Sequence, residues 1–564
     1  MTRECVCGPP EFVKLRAMQE VVSDAVTDNE QSLITSQFTA IAERVRGESP
    51  TRVEWLGALV TAVLLILSFP NFSLSFLAWV ALVPLLIAVS HRPSPIKAFI
   101  LGWTSGALFF YVSCYWLTYS MIHYGGLPVV VAYLLLLPGG IVMGLFPAFF
   151  ATAVAVLVKR WRILSLVLAP VIWAAAEWLR LGITGQLWNA LGYSQAGAFN
   201  NYFIQPASWG GVYAVSFLIL CVNAGVALFI LYRTQRALIA CISLVVGAIV
   251  TLFISNQAKP VAPTSGPPAL YVVAVQPNVP MSLVKTTDEL KDLLDRHLVL
   301  SKQGLDHLPN DGVPRLVIWP ESPMNFTYAG DKEFQALTTN FTSSNHTYLI
   351  LNSLEPAPGD GGFNSALLIN EDGRLISQYD KIRLLPFGEY VPLPQWLPGA
   401  SLIRGLVGDF TPGTRYTVMQ IGAVRAGVFI CIESAYPSIA RRLSYDGAGL
   451  LINISNDGYL GPTAVMRQHL ANAVFRAVEN GREVLRVTNS GITANISPDG
   501  LVQEPTEAFR PDVRTWKINQ ALTHDTFYLK HGDVFVAICL ALSILAISLS
   551  ILGIRNTPRQ RELR

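Results

Sequence analysis

Two apolar blocks enclose a soluble-looking one, and that arrangement limits the fold more than any other feature of the chain. Residues 55–255 are almost continuously apolar, 260–530 read like a water-soluble domain, and 533–554 are apolar again. Over 564 residues the chain is 52% hydrophobic and only 14% charged, with a mean hydropathy of +0.42. A membrane span needs roughly 20 apolar residues. Spans are therefore expected near 55–70, 74–90, 98–120, 127–157 (one long or tilted helix), 163–180, 206–231, 237–255 and 533–554, eight in all.

The charges between these segments alternate. Arg92 and Lys97 follow the second, Lys159, Arg160 and Arg162 the fourth, and Arg233 and Arg236 the sixth. Arg555, Arg559, Arg561 and Arg564 lie beyond the eighth, whereas Pro70–Ser73 and His123–Leu127 carry no cation. The positive-inside rule then puts both termini in the cytoplasm and the soluble block on the far side. The expected organisation is a cytoplasmic extension at 1–52, a seven-span bundle at 53–257, an extracytoplasmic domain at 258–530, an eighth span at 531–554 and a cytoplasmic tail at 555–564. The first 50 residues show no apolar core with a small-residue cleavage site, which argues against a cleaved signal peptide. Cys5 and Cys7 have no second ligand pair nearby to make a zinc site. A net charge of +3 does not point to nucleic acid.

The loop after the fifth span, roughly 181–205, contains Gln186-Leu-Trp188-Asn-Ala-Leu-Gly192-Tyr193-Ser-Gln195. Trp and Tyr favour interfacial depth, so Trp188 reads equally as an interface anchor or as a wall of a lipid-facing cleft. Intramembrane charge would suit a transporter, but Glu177 and Arg180 lie near the end of the fifth span.

Within the soluble block, strand patterns occur at Tyr271–Gln276, Arg315–Glu321, Tyr348–Leu354, Ser365–Asn370, Leu375–Lys381, Val424–Glu433, Leu450–Asp457 and Val484–Asn489. Helical periodicity occupies 287–303, 331–341, 437–446 and 464–480, and Asn370-Glu-Asp-Gly373 and Pro498-Asp-Gly500 signal hairpins. This mixture predicts a layered α/β sandwich. The phosphate-binding glycine loops of nucleotide enzymes are missing.

Three strand patterns finish on reactive side chains: Leu316-Val-Ile-Trp-Pro-Glu321, Gln378-Tyr-Asp-Lys381 and Gly427-Val-Phe-Ile-Cys431. Cys431 is the only cysteine of the soluble block, so it serves packing or chemistry. A thiol near its reference pKa of about 8.5 needs a base or a cation to act as a nucleophile. A carboxylate can take its proton, and an ammonium can stabilise an oxyanion. A Cys–His hydrolase would instead use His469 or another histidine of this block as base; His469 lies in a helical stretch and reads as structural.

The chain resembles the apolipoprotein N-acyltransferases, membrane-embedded members of the nitrilase (carbon–nitrogen hydrolase) superfamily. The matching segments are Ile318-Trp-Pro-Glu321-Ser, Tyr379-Asp-Lys381, Pro386-Phe-Gly-Glu389-Tyr-Val-Pro, Ile430-Cys431-Ile-Glu433, Ser455-Asn-Asp457, Thr488-Asn-Ser-Gly-Ile-Thr493 and Thr526-Phe-Tyr-Leu-Lys-His-Gly532-Asp533, with Leu77–Pro84 and Leu191–Gln195 in the bundle. The resemblance implies an α+β membrane protein, an eight-span helical bundle carrying a nitrilase-like α-β-β-α sandwich. It implies Glu321 as general base, Lys381 as oxyanion-stabilising cation and Cys431 as nucleophile. Glu389 would support Lys381 and the acyl intermediate, and Glu433 would line the pocket. Tyr459 and Trp188 would contribute to substrate binding. The implied reaction is ping-pong, through a Cys431 thioester, from a phospholipid donor to a diacylglyceryl-modified lipoprotein. It needs no cofactor or metal, and the resemblance places a monomer in a bacterial inner membrane with a periplasmic catalytic domain. Leu397–Val407 would form an apolar flap admitting lipid. A membrane-anchored amidase is the alternative enzyme.

The chain departs from that pattern at several positions. Lys285 stands where the family commonly has tryptophan, Ile432 where tyrosine is frequent, Tyr459 within Asn456-Asp-Gly-Tyr-Leu-Gly461, and Leu187 in place of proline.

Overall fold

The computed structural model describes residues 49–259, 266–281, 286–358, 361–391, 410–519 and 525–556. Lys285, the flap expected at Leu397–Val407, the tail beyond 556 and all but the last four residues of the 1–52 extension lie outside them.

Every apolar segment is helical. In chain order the helices are α1 (Arg52–Ser68), α2 (Val83–His91), α3 (Pro95–Ser113), α4 (Leu117–His123), α5 (Val129–Trp161), α6 (Ile163–Val167), α7 (Ala169–Thr184), α8 (Ala207–Leu231) and α9 (Gln235–Gln257). The soluble block adds α10 (Thr287–Asp306), α11 (Lys332–Asn345), α12 (Pro437–Tyr445), α13 (Val465–Asn480) and α14 (Phe527–His531), and α15 (Val534–Asn556) closes the described chain. Among the described residues, α3, α5, α8, α9 and α15 are long and apolar enough to cross a membrane. The other apolar segments are shorter or broken. The second begins as a 3₁₀ turn at Ser75–Trp79 before α2. The third stops at Ser113 and restarts as α4. The fifth divides into α6 and α7, with a proline in the first turn of α7, where its missing N–H does no harm. The 33-residue α5 is about 50 Å long at 1.5 Å per residue. Lys97, one of the cations used to orient the bundle, is buried and paired with Glu54 at 2.7 Å.

Among the described residues, the soluble block holds two six-stranded sheets. One has the order β12-β1-β2-β3-β4-β5 and the other β11-β10-β9-β8-β7-β6. The strands are β1 (Pro268–Gln276), β2 (Arg315–Ile318), β3 (Tyr348–Pro356), β4 (Gly362–Ile369), β5 (Leu375–Asp380), β6 (Val418–Ile421), β7 (Val424–Ile430), β8 (Leu450–Ser455), β9 (Glu483–Thr488), β10 (Ala494–Ile496), β11 (Val502–Gln503) and β12 (Asp512–Asn519). Strands β1, β2 and β3 run parallel, as do β7, β8 and β9.

Alternation along a strand sends successive side chains to opposite faces. On β1, Val272 and Ala274 join Ile452 and Ile454 of the second sheet in one core, whereas Val273 and Val275 pack outward with Leu305 and Phe334 of α10 and α11. The outer face of the second sheet, through Phe429, Leu451 and Val484, joins α12, α13 and the bundle in a further core. The layers are therefore helix, sheet, sheet and helix, and the last helical layer rests on the apolar bundle. β6, β10, β11 and β12 have no counterpart among the expected strands, because they are short or polar-alternating elements at or next to a sheet edge, whose pairing, not their own sequence, makes them strands.

Candidate active site

Parallel strands leave their carboxyl ends on the same side, where sites in open α/β sheets form. Pro320, two residues past the end of β2, cannot donate to a ladder, so the chain turns there and presents Glu321. Lys381 is the first residue after β5, and Cys431 the first after β7.

One polar chain joins Glu321 and Lys381, and the Cys431 thiol is coupled to both electrostatically. The Lys381 Nζ donates to Glu389 Oε1 at 2.8 Å and to Glu321 Oε1 at 3.4 Å. The Asn364 side-chain amide donates to the same two carboxylates, at 2.9 Å to Glu321 and 2.7 Å to Glu389. Its own carbonyl accepts from Asn352 at 2.7 Å. The second oxygen of Glu321 accepts the Asn456 N–H at 3.1 Å, and that of Glu389 the Leu385 N–H at 2.7 Å. Burial alone would lower the Lys381 pKa, but the Glu321 and Glu389 carboxylates outweigh it and hold the ammonium well above the ordinary lysine value. Lys381 is therefore a fixed cation. Asn364 and Asn352 were not legible in the sequence, since Asn364 lies just before the strand pattern expected at Ser365–Asn370 and nothing distinguishes Asn352 inside its own until β3 and β4 pair.

Cys431 opens a 3₁₀ turn, Cys431–Ala435, at φ 52°. A side chain with a Cβ occupies that left-handed region at a cost of about 1–2 kcal/mol, so the surroundings must hold the elbow in place. Burial pushes the Cys431 thiol well up, the Glu321 carboxylate adds to this, and the Lys381 ammonium opposes it. The resting thiol is thus protonated and needs a base to ionise.

Glu433 does not line the pocket. It is fully buried behind the elbow. Its carboxylate accepts N–H groups from Ile382 at 2.7 Å, Arg383 at 3.1 Å and Ile430 at 2.7 Å, and the Tyr379 hydroxyl at 2.9 Å. It ties the lysine segment to the cysteine turn, which a sequence motif alone cannot distinguish from a pocket residue. Burial raises its pKa to about 7, against the lowering effect of those hydrogen bonds.

Trp188 and Tyr459 stand at the border with the bundle. The Trp188 indole donates to Gln468 Oε1 at 2.7 Å, beside a second donor, Trp116, at 3.0 Å. The Gln468 amide nitrogen donates in turn to the carbonyls of Pro70 and Ser113, each at 3.1 Å. Tyr459 stacks on Tyr124 with ring centroids 5.6 Å apart. A second tie is Glu479, which accepts the Val212 N–H at 3.0 Å, just past the kink at Gly210 and Gly211 in α8. His469, the alternative base, points elsewhere: its Nε2 lies 3.0 Å from the Cys431 backbone carbonyl and its Nδ1 2.7 Å from Asp457.

The family model for the apolipoprotein N-acyltransferase N-terminal domain matches residues 61–225, and that for carbon–nitrogen hydrolases matches 290–527. The chain is 32% identical over 509 residues to the apolipoprotein N-acyltransferase of Geobacter metallireducens, covering 87% of this chain and 94% of that protein. It is 31% identical to the one from Azotobacter vinelandii, covering 82% and 89%, and 28% identical to the one from Thermotoga maritima, covering 87% and 93%. A crystal structure of an amidase from Nesterenkonia sp. aligns over 49% of this chain and 97% of its own, with 16% identity and a TM-score of 0.35.

Proposed function

This chain belongs to the apolipoprotein N-acyltransferase family, and from that membership and the geometry above we propose a phospholipid-dependent, ping-pong acyl transfer through Cys431. The enzyme is an acyltransferase with a carbon–nitrogen hydrolase domain. The observation that carries the mechanism is the Glu321–Lys381–Glu389 chain around a buried ammonium, electrostatically coupled to the Cys431 thiol.

In the first half, Glu321 takes the thiol proton and the thiolate adds to an ester carbonyl of the phospholipid. Lys381 stabilises the oxyanion. Collapse breaks the acyl–oxygen bond, and Glu321 returns the proton to the departing alkoxide, leaving a thioester and a lysophospholipid. In the second half, the α-amine of a diacylglyceryl-cysteine attacks the thioester carbonyl. Glu321 accepts the amine proton, the thiolate leaves, and it is reprotonated as the amide product departs. Glu389 and Asn364 hold Lys381 and Glu321 in register throughout.

The eight apolar segments act as eight spans in a bacterial inner membrane, with a bundle at 53–257, the catalytic domain at 258–530 on the periplasmic face and the closing span at 531–554. Both termini are cytoplasmic and the enzyme works as a monomer. The ties from Trp116, Trp188 and Gln468 support this arrangement, because they seat helix α13 of the catalytic domain directly on the bundle. Donor and acceptor then reach Cys431 by lateral diffusion.

The test is intact-mass analysis after incubation with phospholipid. Wild type gains one acyl adduct on the peptide containing Cys431, and Cys431→Ser gains none while remaining folded and inserted. Unchanged acylation of a diacylglyceryl peptide by Cys431→Ser would overturn the mechanism.

A further inference from the structure

The two nitrogens of the His469 ring each face an oxygen that only accepts. One is the Cys431 backbone carbonyl, 3.0 Å from Nε2. The other is Asp457 Oδ1, 2.7 Å from Nδ1. Burial would raise the Asp457 pKa, but the Arg486 guanidinium, 2.6 Å from Oδ2, and His469 hold it well below the usual carboxylate range. Asp457 also accepts the Ser455 hydroxyl at 3.1 Å, so it has no proton to give the ring. A neutral imidazole has one N–H and one lone pair and would set that lone pair against an acceptor. Only the imidazolium donates at both positions.

The charges around His469 can be named from every side. Asp457 faces it from the turn after β8, Arg486 stands behind that carboxylate on β9, and Cys431 lies on the third side. The Trp188 ring, 5.5 Å away, brings no charge. At the nucleophile's own residue Glu321, Asp457 and Glu389 disfavour a thiolate and Lys381 favours it; His469 and Arg486 against Asp457 leave one net positive charge, so a charged His469 offsets the Asp457 carboxylate. The same contact fixes the peptide plane that follows Cys431 and so restrains the left-handed elbow. Gln468, one residue earlier on α13, is clamped by the two indoles and by two carbonyls of the bundle, which sets the ring's position from the membrane side.

We propose that His469 is a charged positioning residue, an imidazolium that pins the Cys431 elbow and favours its thiolate without taking the catalytic proton. The inference rests on Cys431 being the nucleophile and goes beyond the Glu321, Lys381 and Cys431 set.

The experiment is iodoacetamide alkylation of Cys431 in the full-length detergent-solubilised enzyme, without lipid, over a range of pH. Wild type is compared with His469→Gln, which keeps a donor for the Cys431 carbonyl but no charge, and with His469→Leu. The expected result is a profile displaced to higher pH, with alkylation at neutral pH about tenfold slower for each unit of displacement, and thioester formation slowed in parallel. Nitrogen-15 NMR of histidine-labelled wild type is expected to show both His469 ring nitrogens protonated at neutral pH, the signal being assigned by its loss in His469→Gln. A neutral ring in wild type, or a lower melting temperature with an unmoved alkylation profile, overturns the proposal. If His469→Leu does not fold, His469→Gln and the wild-type spectrum still decide it. Normal lipid-free alkylation shifts with no thioester in any variant would count against the acyl-transfer mechanism, not against the charge on His469.

Discussion

Removing the Lys381 ammonium should do more than abolish an oxyanion contact. Lys381 is almost completely buried between two carboxylates, 2.8 Å from Glu389 and 3.4 Å from Glu321. At an effective dielectric of about 20, those separations correspond to about 6 and 5 kcal/mol of attraction. Desolvating an ammonium takes back several kcal/mol, so the net cost of deleting one partner falls near the usual 3–5 kcal/mol for a broken buried ion pair. Lys381→Met leaves Glu321 and Glu389 facing each other across the Asn364 amide, which bonds both. Two carboxylates sharing a site cannot both stay ionised easily, and one should take up a proton in the folded state. Its folded-state pKa then lies above its unfolded one. The variant's stability is greatest at acid pH and is lost as pH rises through the raised value. In wild type the sign is carried by the lysine: its raised pKa makes the contribution fully present below the unfolded lysine value and lost only in strong alkali. Thermal unfolding of both proteins from pH 5 to 8 tests this, alongside intact-mass detection of the thioester. The expected outcome is a variant about 3–5 kcal/mol less stable at pH 8, partly recovered at pH 5, with no adduct at either. Equal and pH-independent melting of the two proteins would refute the electrostatic reasoning. A wild-type rate of adduct formation would refute the assignment of Lys381.

Three further outcomes follow from the same site. Burial holds Glu433 near pH 7 against an ordinary 4.5, so its folded state binds the proton more tightly. Stability should therefore fall between those two values by about 3 kcal/mol, and Glu433→Gln should flatten that slope in pH-dependent unfolding. Because burial and Glu321 push the Cys431 thiol well up, its alkylation rate should still be climbing above pH 9; a plateau near the free-thiol range of about 8.5 would contradict that environment. Gln468→Leu strips partners from two indole N–H groups and two carbonyls, at about 1–3 kcal/mol for each group left buried and unpaired. Limited proteolysis should cut near α13 sooner in that variant, and equal resistance would show that the clamp is dispensable.

Legibility differed by residue type. Glu321, Lys381 and Cys431 were visible because each ends an apolar run, and the structure places all three at strand ends. Glu433 carried the same kind of motif signal and was misplaced, since only packing distinguishes a residue behind an elbow from one in front of it. Asn364 gave no signal at all, although it joins both carboxylates. His469 sits in a helical pattern, from which its partner, the carbonyl of the Cys431 residue, could not be read.

The sequence by itself determined where this chain is apolar, which segments alternate with period two and which residue types could carry acyl transfer. Those are properties of local composition, and burial of apolar surface enforces them whatever the topology. Tertiary structure alone decided that three strand ends converge, that Asn364 bridges two carboxylates, and that α13 rests on the bundle while its histidine faces the nucleophile. Such contacts join residues tens to hundreds of positions apart, and neither periodicity nor spacing records which strand pairs with which.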